Sequence, residues 1–220
     1  MAIPHAWTFS HLDQLTTCPK RYYHLRVAKD TQDDPPGEAI MWGRKAHTAF
    51  ENRIKYSTPF PEGMTQWEPM AQKILALPGE KFAEHKMALD INFKPTAYKT
   101  AWTRGITDLF VVNGKKAATA DYKTGKFKPS DQLRLYSAYI LASYPEIETV
   151  DSAFIWLKDK KVSRETVTRE TVPAVWQDIM PVVRKLEHAY DKNVWPAKPS
   201  GLCREWCPVL KCEHNGRRAK

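Results

Sequence analysis

Two apolar, β-branched runs, residues 101–112 and 116–123, meet at Asn113-Gly114, and this junction constrains the fold more tightly than any other feature of the chain. Asn-Gly between alternating strands is the strongest short-range hairpin signal, because both positions accept the positive φ of a type I′ turn. The pairing sets Asp108 on one strand and Asp121 and Lys123 on its partner. Alternate side chains of a strand share a face, so Asp121 and Lys123 point one way and Tyr122 the other. Two carboxylates held close repel one another unless a cation lies between them. Hard oxygen ligands beside an ammonium group are what divalent-metal-assisted cleavage of a phosphodiester requires.

The flanking sequence completes an α/β pattern. Ser10 is placed to cap a helix carrying Leu12, Leu15 and Tyr22, with Asp13 at the third helical position. After the break at 33–37 a helix is predicted over 38–56, with Ile40, Gly43, His47, Phe50 and Ile54 at near-helical spacing. A shorter helix over 67–77 ends at Pro78-Gly79, and a first strand is predicted over 82–93. A helix follows over 130–143, then strands over 150–157 and 162–167, then a helix over 173–192 that Pro181 should interrupt. The tail from Trp195 is rich in proline, cysteine and basic residues. This order predicts a mixed central sheet with a helical section before it and an irregular tail after it. It reads as a single domain over 1–220, divided into 1–78, a sheet core at 79–170, and 171–220.

The chain has 220 residues, 42% of them hydrophobic, enough for a real core. No apolar run approaches the ~20 residues of a membrane span. Met1-Ala2-Ile3-Pro4-His5 lacks the basic start and apolar stretch of a signal peptide, so a cytoplasmic protein with no membrane partner is expected. Net charge is +9. Lys115, Lys116, Lys126, Lys128 and Arg134 flank the carboxylate segment, and Lys158, Lys160, Lys161 and Arg164 form a second basic group. Arg217, Arg218 and Lys220 close the chain. A polyanionic partner fits that distribution. Tyr22, Tyr23, Trp42, Tyr136 and Trp156 lie near basic groups and could stack on bases, although aromatics so placed more often belong to a core.

Four short motifs occur in a telling order: Gly43-Arg44-Lys45-Ala46-His47, Gly105-Ile106-Thr107-Asp108, Asp121-Tyr122-Lys123, and Gln132-Leu133-Arg134-Leu135-Tyr136. In this the chain resembles the RecB-like branch of the PD-(D/E)XK nucleases, in particular phage-encoded and CRISPR-associated exonucleases and the nuclease domain of AddB. The resemblance implies a restriction-endonuclease-like fold and a divalent-metal-dependent DNA exonuclease. His47, Asp108, Asp121 and the main-chain carbonyl of Tyr122 would bind Mg2+ or Mn2+. Lys123 would position the attacking water, and Gln132 and Tyr136 would face the bound strand. Glu51, one turn after His47, could brace that imidazole, and Glu84, in the first strand, could help hold a second metal, although residues so placed are more often ordinary polar ones. The substrate would be DNA with single-stranded or duplex ends, in phage or prokaryotic recombination or repair, with a single-strand annealing or recombination protein as partner. For a phage-encoded member the compartment would be the host cytoplasm. Other readings are a catalytically silent nucleic-acid-binding module and a CRISPR-adaptation nuclease working within a complex.

Cys18 stands alone near the start, while Cys203, Cys207 and Cys212 are bunched near the end. In a cytosolic protein four such cysteines point to a metal rather than to disulfides. Spacing alone leaves zinc and an iron–sulfur cluster both open. The resemblance favours a 4Fe-4S cluster, with structural Zn2+ as the alternative. Cluster-bearing relatives place one cysteine, often before proline, ahead of the Gly-x-x-x-His helix and three near the C-terminus. Here Cys203 and Cys207 have three residues between them, where two is frequent in relatives.

Overall fold

The computed structural model describes residues 3–217; Met1, Ala2, Arg218, Ala219 and Lys220 fall outside them. In chain order the helices are α1 Phe9–Thr17, α2 Pro19–Tyr22, α3 Glu38–Tyr56, α4 Glu68–Leu75, α5 Gln132–Ser143, α6 Val172–Lys192 and α7 Leu202–Glu205. The strands are β1 Glu80–Leu89, β2 Thr103–Asn113, β3 Lys116–Lys123, β4 Thr149–Trp156 and β5 Lys161–Thr168. The chain forms two compact units: Pro36–Asp178, and the residues up to Pro35 together with those from Ile179 onward.

The larger unit is built on a five-stranded sheet of order β1-β2-β3-β4-β5. Strands β3 and β4 run parallel and every other neighbouring pair is antiparallel. Only the parallel pair needs a long crossover, and α5 supplies it. The two faces are covered by different helices. On one, Phe50 of α3 and Trp67, just before α4, pack with Leu109, Val111, Tyr122 and Ile155. On the other, Leu133 of α5 packs with Phe154 and Trp156, and the Tyr139 hydroxyl meets the Thr103 hydroxyl. The expected α/β architecture, a mixed central sheet flanked by helices, is what the chain adopts.

Four local expectations are corrected. Thr8, not Ser10, caps α1: its hydroxyl accepts from the His11 amide. That helix does not run on to Tyr22, because Cys18 is extended at φ −165° and instead caps α2. The first strand ends at Leu89, where Asp90 Oδ1 accepts from the Asn92 and Lys94 amides and turns the chain. Pro181 lies inside α6 without interrupting it. Its ring is exposed, as is Gln177 one turn earlier, so the carbonyl that loses its amide partner faces water.

In the smaller unit, ion pairs tie the N-terminal segment to the tail: Lys20 to Glu213, Lys211 to Asp30, and Arg217 to Asp34. Tyr22 and Tyr23 pack on Trp195.

Candidate active site

Three acidic residues stand in one row across β1, β2 and β3. Ala83 pairs with Leu109 and His85 with Thr107, which leaves Glu84 opposite Asp108. The β2–β3 ladder stops at Leu109 and Ala120, one row short of Asp108 and Asp121. Neither step of the acidic row forms a ladder pair. Glu84 has φ +52°, in the left-handed region that side chains disfavour. Both strands also change face here. Phe82 and His85, three residues apart, both pack on Phe110, an odd spacing that a regular strand cannot place on one side.

His47 of α3 reaches this row, its Nδ1 lying 3.1 Å from Asp108 Oδ1. One ligand atom each from His47, Glu84 and Asp108 lie within 4.8 Å of one another. The second Asp108 oxygen, Oδ2, accepts from the Tyr122 amide at 2.7 Å. Burial disfavours the His47 imidazolium, but the hydrogen bond and charge of Asp108, with Asp121 and Glu84 beyond it, hold its pKa above the ordinary value. Burial, then the charges of Asp108 and Glu51, push Glu84 up. Burial and Asp108 likewise push Asp121 up, against the pull of Lys123 and His47. Like charges facing one another across a sheet are destabilising, and a bound dication relieves that repulsion. Carboxylates with one imidazole suit a hard divalent ion.

Asp121 itself turns toward α5. Its Oδ2 lies 2.6 Å from Lys123 Nζ, and its Oδ1 accepts from Gln132 Nε2 at 2.7 Å. Lys123 Nζ also donates to Gln132 Oε1 at 3.0 Å, so the three side chains close a ring of contacts. Tyr136 is buried and stacks on Tyr139. Tyr22 and Trp156 are buried too, and Trp42 packs on Trp67.

The two motif glycines each allow a close approach. A Cβ on Gly105 would lie 2.7 Å from Tyr136 Cε1, and one on Gly43 would lie 2.9 Å from Thr124 Oγ1. The first lets α5 press on β2; the second lets α3 close on the loop after β3. Between α3 and the strands is a cleft of about 800 Å³, lined by Gly43, His47, Glu84, Ile106, Asp108 and Thr124 among others. Of the predicted metal set, the structure brings His47 and Asp108 together and adds Glu84, with Asp121 and Lys123 adjoining. From sequence Glu84 is only a candidate aid to a second metal, because no short turn fixes the β1–β2 register that sets it opposite Asp108.

In the smaller unit Cys18, Cys203, Cys207 and Cys212 line one small cavity, and none is in a disulfide. Cys18 Sγ accepts from the Arg21 and Lys198 amides, and Cys203 Sγ from the Ser200 amide. Burial pushes the Cys207 thiol up, and the neighbouring Cys203 and Cys18 add to it. Asn215, which the sequence reading did not single out, is buried and donates through Nδ2 to the carbonyls of Cys207 and Val209. Four thiols around one cavity fit a thiolate-bound metal or cluster.

Carboxylates in a row, an imidazole, and a lysine locked to one of the carboxylates define a class of protein, the metal-assisted phosphodiester hydrolases. The model of the PD-(D/E)XK nuclease superfamily matches residues 6–212, and the chain belongs to that superfamily. Nucleases of this kind cut nucleic acid with divalent metal ions. Among solved structures, a protein of Eubacterium rectale named "Putative exonuclease" is similar with a TM-score of 0.54 at 11% identity, over 98% of this chain and 88% of that one. A second, named SSO0001, has a TM-score of 0.46 at 14% identity, over 98% and 89%. At 11% identity the likeness to the Eubacterium rectale protein is one of fold. No curated protein matches the chain. No helix among the described residues is long and apolar enough to cross a membrane.

Proposed function

We propose that this chain is a divalent-metal-dependent DNA exonuclease of the RecB-like branch. The observation that carries the reading is the row Glu84–Asp108–Asp121, flanked by His47 and Lys123. His47, Asp108, Asp121 and the Tyr122 carbonyl would hold Mg2+ or Mn2+, with Glu84 joining them, and the ion would supply a lowered water pKa and neutralisation of charge on the phosphate. Lys123, fixed between Asp121 and Gln132, orients the attacking water and stabilises the phosphoryl oxygens. Gln132 keeps both partners in place, and Tyr136 holds α5 against Gly105 beside the bound strand. In-line attack expels the 3′ oxygen and leaves a 5′-phosphate.

Cys18, Cys203, Cys207 and Cys212 hold a structural 4Fe-4S cluster in this reading, with Zn2+ as the alternative occupant. The setting is recombination or repair in a phage-infected or prokaryotic cytoplasm, beside a single-strand annealing or recombination protein. The test is incubation with end-labelled single-stranded and duplex DNA, with Mg2+, Mn2+ or chelator. The parent should shorten the label progressively from an end in metal alone, and Asp121→Ala and Lys123→Ala should not. Degradation by the variants equal to the parent's would remove the site.

A further inference from the structure

The strand face that lines the cleft does not end at Ile106. Two residues beyond Ile106 on β2, and four from Asp108, stands Arg104, and directly across from Ile106 on β1 stands Lys86. With the strand rise of ~3.3 Å per residue, Arg104 is on the order of 13 Å along β2 from Asp108. Both cations converge on one ring. The Arg104 guanidinium lies 4.8 Å from the centre of Tyr98, and Lys86 Nζ lies 5.7 Å from it. Arg104 Nη1 also donates to the Tyr98 carbonyl at 3.1 Å. The guanidinium is therefore held by a backbone acceptor and an aromatic face, contacts that leave its charge unneutralised. Among the described residues neither cation forms an ion pair with a carboxylate, whereas Lys123 and Arg134 do. Lys86 is exposed, and Arg104 and Tyr98 are half-buried.

We infer that Lys86, Tyr98 and Arg104 form a subsite for the phosphate backbone of a nucleic-acid strand leaving the cleft. The inference rests on the nuclease reading and extends it by naming where the strand runs. A strand whose scissile phosphate sits at the carboxylate row would carry the phosphates a few nucleotides away past these cations. The oriented guanidinium presents paired N–H donors to a phosphate, and the lysine adds a second charge.

The test is equilibrium binding of the full chain to fluorescein-labelled single-stranded and duplex oligonucleotides in chelator, followed by anisotropy over a range of salt. Lys86→Ala/Arg104→Ala is compared with Lys94→Ala/Lys99→Ala, which removes the same charge from the connection between those two strands without touching the ring. The first pair should weaken binding about tenfold and flatten the salt slope by roughly 1.4 for a single strand or 1.8 for duplex. The larger loss identifies which form of backbone is held. The second pair should bind like the parent. Equal effects of the two pairs, no effect of the first, or a parent that binds neither oligonucleotide would overturn the subsite. Hydrolysis of bis(4-nitrophenyl) phosphate in Mn2+, a substrate too short to leave the cleft, should survive Lys86→Ala/Arg104→Ala; its loss there would also overturn the inference. A parent unable to hydrolyse that ester or DNA would fail the nuclease reading alone, and the anisotropy would still decide the subsite.

Discussion

The Tyr122 amide donates to Asp108 Oδ2, while the Tyr122 ring stacks on Phe50 with centroids 4.0 Å apart. One residue thus fixes a carboxylate through its backbone and anchors the core through its side chain. With Oδ2 held, Asp108 keeps Oδ1 toward His47. Core packing and site geometry are coupled through this single position.

Phe50→Ala should therefore harm the site as well as the fold. Emptying this fully buried aromatic position costs about 3–5 kcal/mol. Metal-dependent cleavage should fall even well below the unfolding temperature, as urea melts and cleavage rates together would report. A destabilised variant with parental activity would break the proposed coupling.

Glu84→Gln should act in opposite directions on the apo and metal-bound protein. It removes one of two facing carboxylates, so the metal-free protein should gain up to about 1 kcal/mol. Affinity for Mn2+ should drop roughly tenfold, since a carboxylate is replaced by a neutral amide. Thermal melts in chelator and in Mn2+ should cross over, and parallel shifts would separate Glu84 from the metal.

Gly105→Ala should strain the contact with Tyr136, where the added carbon lies 2.7 Å from the ring. Overpacking of this kind costs typically about 1–3 kcal/mol. Tyr136→Ala in the same chain should recover part of that loss, giving a measurable coupling energy in a double-mutant cycle. Strict additivity would place the strain elsewhere.

A pH effect follows from the pair that joins α3 to the start of α4. Arg53 donates through Nε to both Glu68 oxygens, at 3.2 and 3.0 Å, and through Nη2 to Oε1 at 2.6 Å. These bonds, with a further one from Gln72, hold the Glu68 pKa down to about 2, from an ordinary 4.5. A depressed folded value means stabilisation that is complete above the unfolded value and vanishes as pH falls toward the folded one. The advantage of the parent over Glu68→Gln in thermal midpoint should hold at neutral pH and shrink between 4.5 and about 2. An advantage independent of pH would sever the link.

If the four cysteines hold the proposed cluster, anaerobically purified protein is brown, with absorption near ~400 nm. Cys18→Ser and Cys207→Ser should each remove the colour and most bound iron, because thiols from both ends of the smaller unit share one cavity. A colourless parent holding one zinc per chain would replace the cluster and leave the nuclease site untouched.

How much of this was legible varied with how local the determining signal was. The helix over 38–56 and the strand over 116–123 were read with the bounds they have, because their ends carry their own punctuation: Gly37 before the helix and Asn113-Gly114 before the strand. The start of α1 was misread since Thr8 and Ser10 both offer a capping hydroxyl, and only the backbone decides between them. Asp108, Asp121 and Lys123 could be placed together because two residues of turn set their register. Glu84 could not, because β1 and β2 are joined by the long stretch from Asp90 to Trp102, whose length fixes no pairing. The cysteines were visible as a set, but the Asn215 amide that braces their loop is a tertiary contact with no periodic trace in sequence.

The missing rung between β1 and β2 and the early end of the β2–β3 ladder leave a seam at the acidic row. Across that row contacts run through side chains: His47 and the Tyr122 amide hold Asp108, and Lys123 and Gln132 hold Asp121. A cation held by the carboxylates would tie β1 to β2 there as well as serve chemistry. Amide hydrogen exchange along β1 and β2 should accordingly slow at this row when metal is added, making the seam itself a reporter of occupancy.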